Sequence, residues 1–293
     1  MPQKHREDRE AFPYFIQWLS GKKIKNIVTN KADLIDFFNA KAAQYNHISF
    51  IKDDPILVPH QFSKKQDIEI AGLFAALLAW GNRTSIINSC KRLMNFMGNQ
   101  PYQFIMNMGD DNAESLLPMM QFVHRTFNST DLFYLLDFLK YHYATMGQAS
   151  LETAFTRGLA ETDTDTENAL NGFHRYVFSG EVHKEYPQRT KKHIAAPFRK
   201  SACKRLNMYL RWMVRNDENG VDFGIWKTIK PSQLVCPIDV HVARVAKRFN
   251  LLDRKQNDWQ SAIELTNYLK QMDADDPVKY DYALFGLGVI EKF

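Results

Sequence analysis

The chain has 293 residues, 45% hydrophobic and 13% aromatic, enough for one large or two ordinary domains with a packed core; disorder across the whole protein is excluded. Its net charge is +5, and its three cysteines, Cys90, Cys203 and Cys236, are widely spaced with no C-x-x-C pair, which excludes a disulfide framework and a four-thiolate metal cluster. Met1 to Glu10 mixes both charges, the apolar stretch after it is broken by Pro13, and no run approaches bilayer length, so a cytoplasmic protein with no membrane partner is expected.

In chain order, residues 1–30 read as an N-terminal extension and residues 31–293 as one helical unit, made of a first helical region (31–150), an acidic loop or insertion (151–187) and a core (188–293). Residues 45–65, with Pro55, Pro59 and His60, read as an extended connector. Asp67 to Trp80 is rich in Ile, Ala and Leu and predicts a buried helix, followed by a turn over Trp80-Gly81-Asn82-Arg83-Thr84. Thr84 or Ser85 then caps a helix through Ile86, Ile87, Cys90, Leu93 and Met94. Asp131 to Tyr143, bearing Leu132, Leu135, Leu136, Phe138 and Leu139, predicts another apolar helix.

Glu152 to Glu185 is polar and acidic, with Glu161 to Glu167 its densest part, and reads as a surface loop or a family-specific insertion. Asp258 to Met272 predicts a helix capped by Asn257 or Asp258, and Pro277 fits the first position of a last helix ending near Gly286 or Gly288. Strand alternation is scarce and no internal repeat is present; the fold class is all-α.

Charge is distributed unevenly. From Gln188 to Asn216 there are nine Lys or Arg and no Asp or Glu, so this 29-residue segment supplies more positive charge than the whole chain carries net. A polyanion site leaves this kind of footprint, and so does a solvated basic helix face. Within it, Ser201 to Met213 reads as a helix. On a wheel at about 100° per residue with Lys204 at zero, Ala202, Leu206, Tyr209, Leu210 and Met213 fall on one apolar face, while Met208, Arg211 and Arg215 lie within about 40° of Lys204. Lys204 therefore points away from the helix's own apolar stripe. Downstream, Asp239 follows Pro237 and precedes Val242, Val245, Ala246 and Phe249, which reads as a helix N-cap, where N–H groups and the macrodipole favour a charged carboxylate.

Lys204 and Asn207 form a Lys-x-x-Asn pattern, and Asp239, His241, Val242, Arg244 and Val245 match a Val-Asp-x-His-[Val/Ile]-x-Arg-Val segment. Together they resemble the catalytic core of the helix-hairpin-helix DNA glycosylase superfamily, of the endonuclease III and 8-oxoguanine glycosylase type, over roughly residues 66–95 and 188–293. The chain also resembles a family of uncharacterised bacterial proteins of similar length, through Leu78 to Arg83, Ser201 to Arg215 and Asp276 to Asp281.

The superfamily resemblance implies a two-lobed helical fold with a cleft between the lobes. It implies a DNA repair N-glycosylase with β-elimination lyase activity on an oxidised purine such as 8-oxoguanine, whose partner is duplex DNA carrying a damaged base. Lys204 is then the nucleophile and Asp239 the carboxylate that stabilises the oxocarbenium-like transition state. Only an unprotonated lysine attacks, and neighbouring cations favour that form; Arg205, Arg211 and Arg215 are the candidates. Arg199, Lys200, Arg205, Asn207, Arg211 and Arg215 are expected to meet nucleic acid, with Asn82 or Arg83 as the wedge that fills the gap left by a flipped nucleotide. Trp80, Lys279 and Asp281 are candidates for the base pocket, although a core Trp80 and a salt-bridged helix surface explain them equally well.

The chain departs from the superfamily at the hairpin. Ile194 to Ser201 has no glycine, where the superfamily reads Leu-Pro-Gly-Val-Gly, and Lys200 stands where a small residue is expected. No cofactor and no metal is expected: the cysteines cannot hold an iron-sulfur cluster, and His241 has no second ligand at i+4, so it reads as a structural hydrogen-bonder. The alternatives are a non-catalytic nucleic-acid-binding protein on the same fold, or a helical scaffold whose basic segment meets an acidic protein.

Overall fold

The computed structural model describes residues 31–293; the N-terminal extension expected over residues 1–30 lies outside them. Helices account for most of the described residues, so the chain is all-α. The described residues divide into two units, with the boundary between Ala40 and Lys41, inside the first described helix, α1 (Lys31–Tyr45). In the first unit the rings of Phe37 and Phe38 meet edge to face, 5.5 Å between centroids. The second unit carries all the elements that follow.

Residues 45–65 are not an extended connector. They wind into the 3-10 turns Ile48–Asp53, Pro55–Leu57 and Pro59–Gln61. Pro55 and Pro59 occupy first positions, where a missing N–H costs nothing, and the Asp54 side chain caps the N–H of Ile56 at 3.1 Å. Helix α2 (Lys65–Leu78) is buried from Ile68 onward, as its run of Ile, Ala and Leu demands. Its buried polar side chain, Glu69, accepts hydrogen bonds from Tyr143 Oη (2.9 Å), Trp226 Nε1 (2.7 Å) and the Leu151 N–H (3.0 Å). Gly72 lets a neighbouring helix approach closely: a Cβ there would lie 3.1 Å from Met213 Cε and 3.2 Å from the Tyr209 ring.

Helix α3 (Arg83–Phe96) is capped by Asn82, whose Oδ1 accepts from the Ser85 N–H at 3.2 Å; Thr84 and Ser85, the expected caps, fall inside the helix. After α4 (Pro101–Asn107) come β1 (Val123–His124) and β2 (Phe127–Asn128), a two-residue antiparallel hairpin. Helix α5 (Ser129–Lys140) opens with an Asn128/Asp131 capping box and ends in a π-turn, Tyr141–Thr145.

The stretch read as an acidic loop or insertion is not a loop throughout: it carries two partly buried helices, α6 (Glu152–Thr156) and α7 (Glu167–Val177). Leu170, Phe173 and Val177 form a helical stripe on α7, and the Phe173 ring stacks on Phe155 at 3.9 Å. The acidic run lies between the two helices. Helices α8 (Lys204–Val214), α9 (Val240–Arg248), α10 (Trp259–Lys270) and α11 (Tyr280–Phe285) complete the unit. Asp258 caps α10 as expected, and Pro277 opens a 3-10 turn that leads into α11. Among the described residues no helix is long and apolar enough to cross a membrane.

His142, in the π-turn, is buried between the Ser150 carbonyl (Nε2, 3.0 Å) and the Tyr176 hydroxyl (Nδ1, 3.1 Å). A carbonyl only accepts, so Nε2 carries the proton and Nδ1 accepts from tyrosine. Burial holds this ring down to about 4 from an ordinary 6.5, with Arg157 adding to the fall against the pull of the Ser150 carbonyl. Below 6.5 the unfolded chain takes up a proton that folded His142 refuses, so its stability contribution falls between pH 6.5 and 4. The stability advantage of wild type over His142→Gln is expected to shrink by about 2 kcal/mol between pH 7.5 and 4.5, read by urea denaturation.

Candidate functional site

Asp239 is the N-cap of α9, extended at φ −127° and ψ −171°, and its Oδ1 accepts from the N–H groups of His241 and Val242, both at 2.9 Å. Two bonds to one oxygen fix the carboxylate and leave Oδ2 free to face outward. Lys204 is the first residue of α8. The chain enters that helix through Lys200 (φ 60°) and Cys203 (φ 50°), both left-handed, a conformation that glycine ordinarily supplies. This entry and this cap bring Lys204 Nζ to 3.6 Å from Asp239 Oδ2, with the side chains 30% and 23% exposed.

The pair lies on the wall of a pocket of about 480 Å³. Phe50, Trp80, Tyr282 and Phe285 supply its aromatic lining, and Asp54, Arg83, Arg205, Arg211, His241 and Asp281 its remaining titratable groups. Burial pushes the Asp281 carboxyl up to about 6; Arg211 pulls it down and the like charge of Asp239 adds to the rise. Burial also raises Asp54 above the ordinary carboxylate range, against its bond to Ile56 and the charges of Arg211, Arg83 and Lys204. At near-neutral pH the pocket therefore offers an acid that both donates and accepts protons. His241, expected to be a structural hydrogen-bonder, instead leaves its buried Nδ1 without a protein partner in the pocket wall.

Arg211 and Arg215 require a correction. They do share the Lys204 side of α8, but each is only 4% exposed, and their charge faces carboxylates rather than a polyanion. Arg211 pairs with Asp222 (3.3 Å) and Asp281; Arg215 pairs with Asp222 (3.1 Å), Asp276 (2.9 Å) and Asp217. Acids in direct contact thereby offset their positive charge. A buried guanidinium needs such partners, and they come from outside the basic segment. Asn207 is also buried, its Nδ2 donating to the Ala202 carbonyl at 3.2 Å, so it closes the turn before α8 instead of facing a ligand.

Arg205 lines the pocket while donating to the carbonyls of Leu77 and His193. Arg199 and Lys200 are exposed on the turn before α8. Trp80 lines the pocket beneath Arg125, whose guanidinium is 4.9 Å from the ring centroid, and Arg83 sits 4.9 Å over Phe285. Asn82 lines an adjoining polar groove with Ser85, Asn88, Ser89 and Arg92. Asp281 reaches the pocket, whereas Lys279 pairs with Asp273 and does not line it.

Sequence reasoning missed Asp54, Phe50, Tyr282 and Phe285. An aspartate directly before Pro55 and the apolar Ile56-Leu57-Val58 was the available signal for the first. Among the described residues no group of three or more His, Cys, Asp or Glu side chains is placed to hold a metal ion, and the three cysteines are buried and unbridged.

Fold and site thus define an all-α protein with a lysine–aspartate pair at an aromatic pocket. The chain belongs to the family described as "Protein of unknown function (DUF2400)", whose model matches residues 54–290. That span includes every pocket-lining residue except Phe50. No curated protein and no solved structure matches the chain.

Proposed function

We propose that this protein is a DNA N-glycosylase with β-elimination lyase activity on an oxidised purine such as 8-oxoguanine, built on a helix-hairpin-helix glycosylase-like fold with a cleft between two lobes. The observation that carries this reading is the 3.6 Å approach of Lys204 Nζ to Asp239 Oδ2 at the wall of an aromatic pocket. A lysine and an acid from distant segments are what Schiff-base chemistry at a sugar requires. The left-handed turn before α8 supports it as well, since Lys200 and Cys203 supply without glycine the backbone bend expected of the hairpin.

In this reading Lys204 passes its proton to Asp239 and adds its lone pair to C1′ of the sugar. The C1′–N bond breaks, its electron pair leaves with the base, and the base takes a proton. The sugar ring opens to an imine between Nζ and C1′; loss of a C2′ proton expels the 3′ phosphate, and water hydrolyses the imine to restore lysine. Asp239 hands the proton taken from Lys204 to the departing base and, ionised again, stabilises the positive charge at C1′. The base stacks between the aromatic walls after leaving the helix, with Asn82 or Arg83 as the wedge, and Asp281 hydrogen-bonds its polar edge.

Borohydride trapping tests this. Incubated with duplexes bearing 8-oxoguanine or an abasic site and then reduced, the protein is expected to form a covalent adduct that Lys204→Gln abolishes. Salt-sensitive DNA binding without any adduct would leave the non-catalytic nucleic-acid-binding reading in its place.

A further inference from the structure

The turn Pro197 to Lys200 presents an aromatic ring to solvent in the middle of the basic segment. Phe198 is 54% exposed, between the exposed Arg199 and Lys200 and close in sequence to the exposed Lys192. Solvation of basic side chains does not account for an exposed phenyl ring held in a fixed pose. The turn is rigid: the Phe198 N–H donates to Asn171 Oδ1 at 3.0 Å, the Lys200 N–H donates to the Pro197 carbonyl at 2.7 Å, and Pro197 is buried. One edge of the ring leans on His174, T-shaped with centroids 5.2 Å apart, and His174 is itself fixed by the Ile194 carbonyl at 2.7 Å.

We propose that this turn docks a single strand of nucleic acid, with one unpaired base stacked on Phe198 and the flanking phosphates held by Lys192, Arg199 and Lys200. The chemistry commits to that partner. An aromatic face binds any exposed base, and it has nothing to stack on in a closed duplex whose bases are covered by their neighbours. The cations beside it match a phosphate backbone, and the absence of any Asp or Glu from Gln188 to Asn216 leaves no like charge within the segment to repel it. The turn runs directly into α8, with Lys200 four positions before Lys204. The docking needs no catalysis and goes beyond the glycosylase reading, whose substrate is a duplex.

The test measures anisotropy of the full-length protein with labelled, lesion-free oligonucleotides of equal length: single-stranded DNA, single-stranded RNA and duplex DNA. Single strands are expected to bind at least fivefold more tightly than the duplex. Phe198→Ala is expected to weaken single-strand binding about tenfold, the loss of one base stack, while changing duplex binding less than twofold. Phe198→Tyr should restore it. Arg199→Ala with Lys200→Ala should lower the log–log salt slope for single strands by ~1.4.

Single-stranded RNA bound well above single-stranded DNA would retain the docking and reassign the strand. Equal affinities for single strands and duplex, or a Phe198→Ala variant indistinguishable from wild type at an unchanged melting temperature, would overturn the proposal. Failure of borohydride trapping with these binding results intact would instead remove the glycosylase reading alone.

Discussion

An Arg211→Met chain is expected to lose about 3–5 kcal/mol of unfolding free energy at pH 7.5, with a smaller deficit at pH 5. Methionine fills much of the arginine's apolar volume but leaves Asp281 without the guanidinium it contacts and Asp222 with Arg215 alone, and also removes one of the charges that hold down buried Asp54. A carboxyl stranded as Asp281 is prefers its proton. Asp281 already titrates near 6 with Arg211 in contact, so its loss pushes that group higher still. A raised carboxyl contributes stability that is present below its unfolded value and lost as pH rises through its folded value, so the variant is penalised more at pH 7.5 than at pH 5. Urea midpoints of variant and wild type at the two pH values decide the matter. A deficit under about 1 kcal/mol, or one independent of pH, would mean that the network is not held by Arg211.

The same network shows why parts of the site were hidden in the sequence. Periodicity on α8 correctly placed Lys204, Arg211 and Arg215 on one side, away from Leu206, Tyr209, Leu210 and Met213, but a wheel cannot say what that side meets. Along α8 it meets the pocket at Lys204 and buried acids at Arg211 and Arg215. Those acids come from residues 217–222 and 276–281, where nothing local marks them as partners of a basic helix. Asp239 and Asp258 were legible because capping is a local event that one carboxylate and the next few N–H groups settle by themselves. Helices α6 and α7 were not, since the acidic run from Glu161 to Glu167 dominated the composition of a window whose buried stripe, Leu170, Phe173 and Val177, begins only after it.

Replacing Asp239 with asparagine separates a cap from a catalyst. Asparagine caps a helix as well as aspartate does, so the two N–H bonds from His241 and Val242 survive, and stability is expected to change by less than about 1 kcal/mol. Asp239→Ala loses those bonds too, and is expected to cost about 1 kcal/mol more, which makes it the less informative variant. What Asp239→Asn removes is the charge 3.6 Å from Lys204 Nζ, and with it both the acceptor for the lysine proton and the anion that offsets positive charge at C1′. Single-turnover base excision is expected to fall about 100- to 1,000-fold, the scale on which a fixed group facing developing charge acts. Binding to the same duplex should hold or tighten, because a negative charge beside the docked phosphates has gone. Excision at the wild-type rate by Asp239→Asn, alongside an inactive Lys204→Gln, would reduce the carboxylate to a helix cap and leave the lysine to find its base elsewhere, with Asp54 and Asp281 the buried acids that line the same pocket.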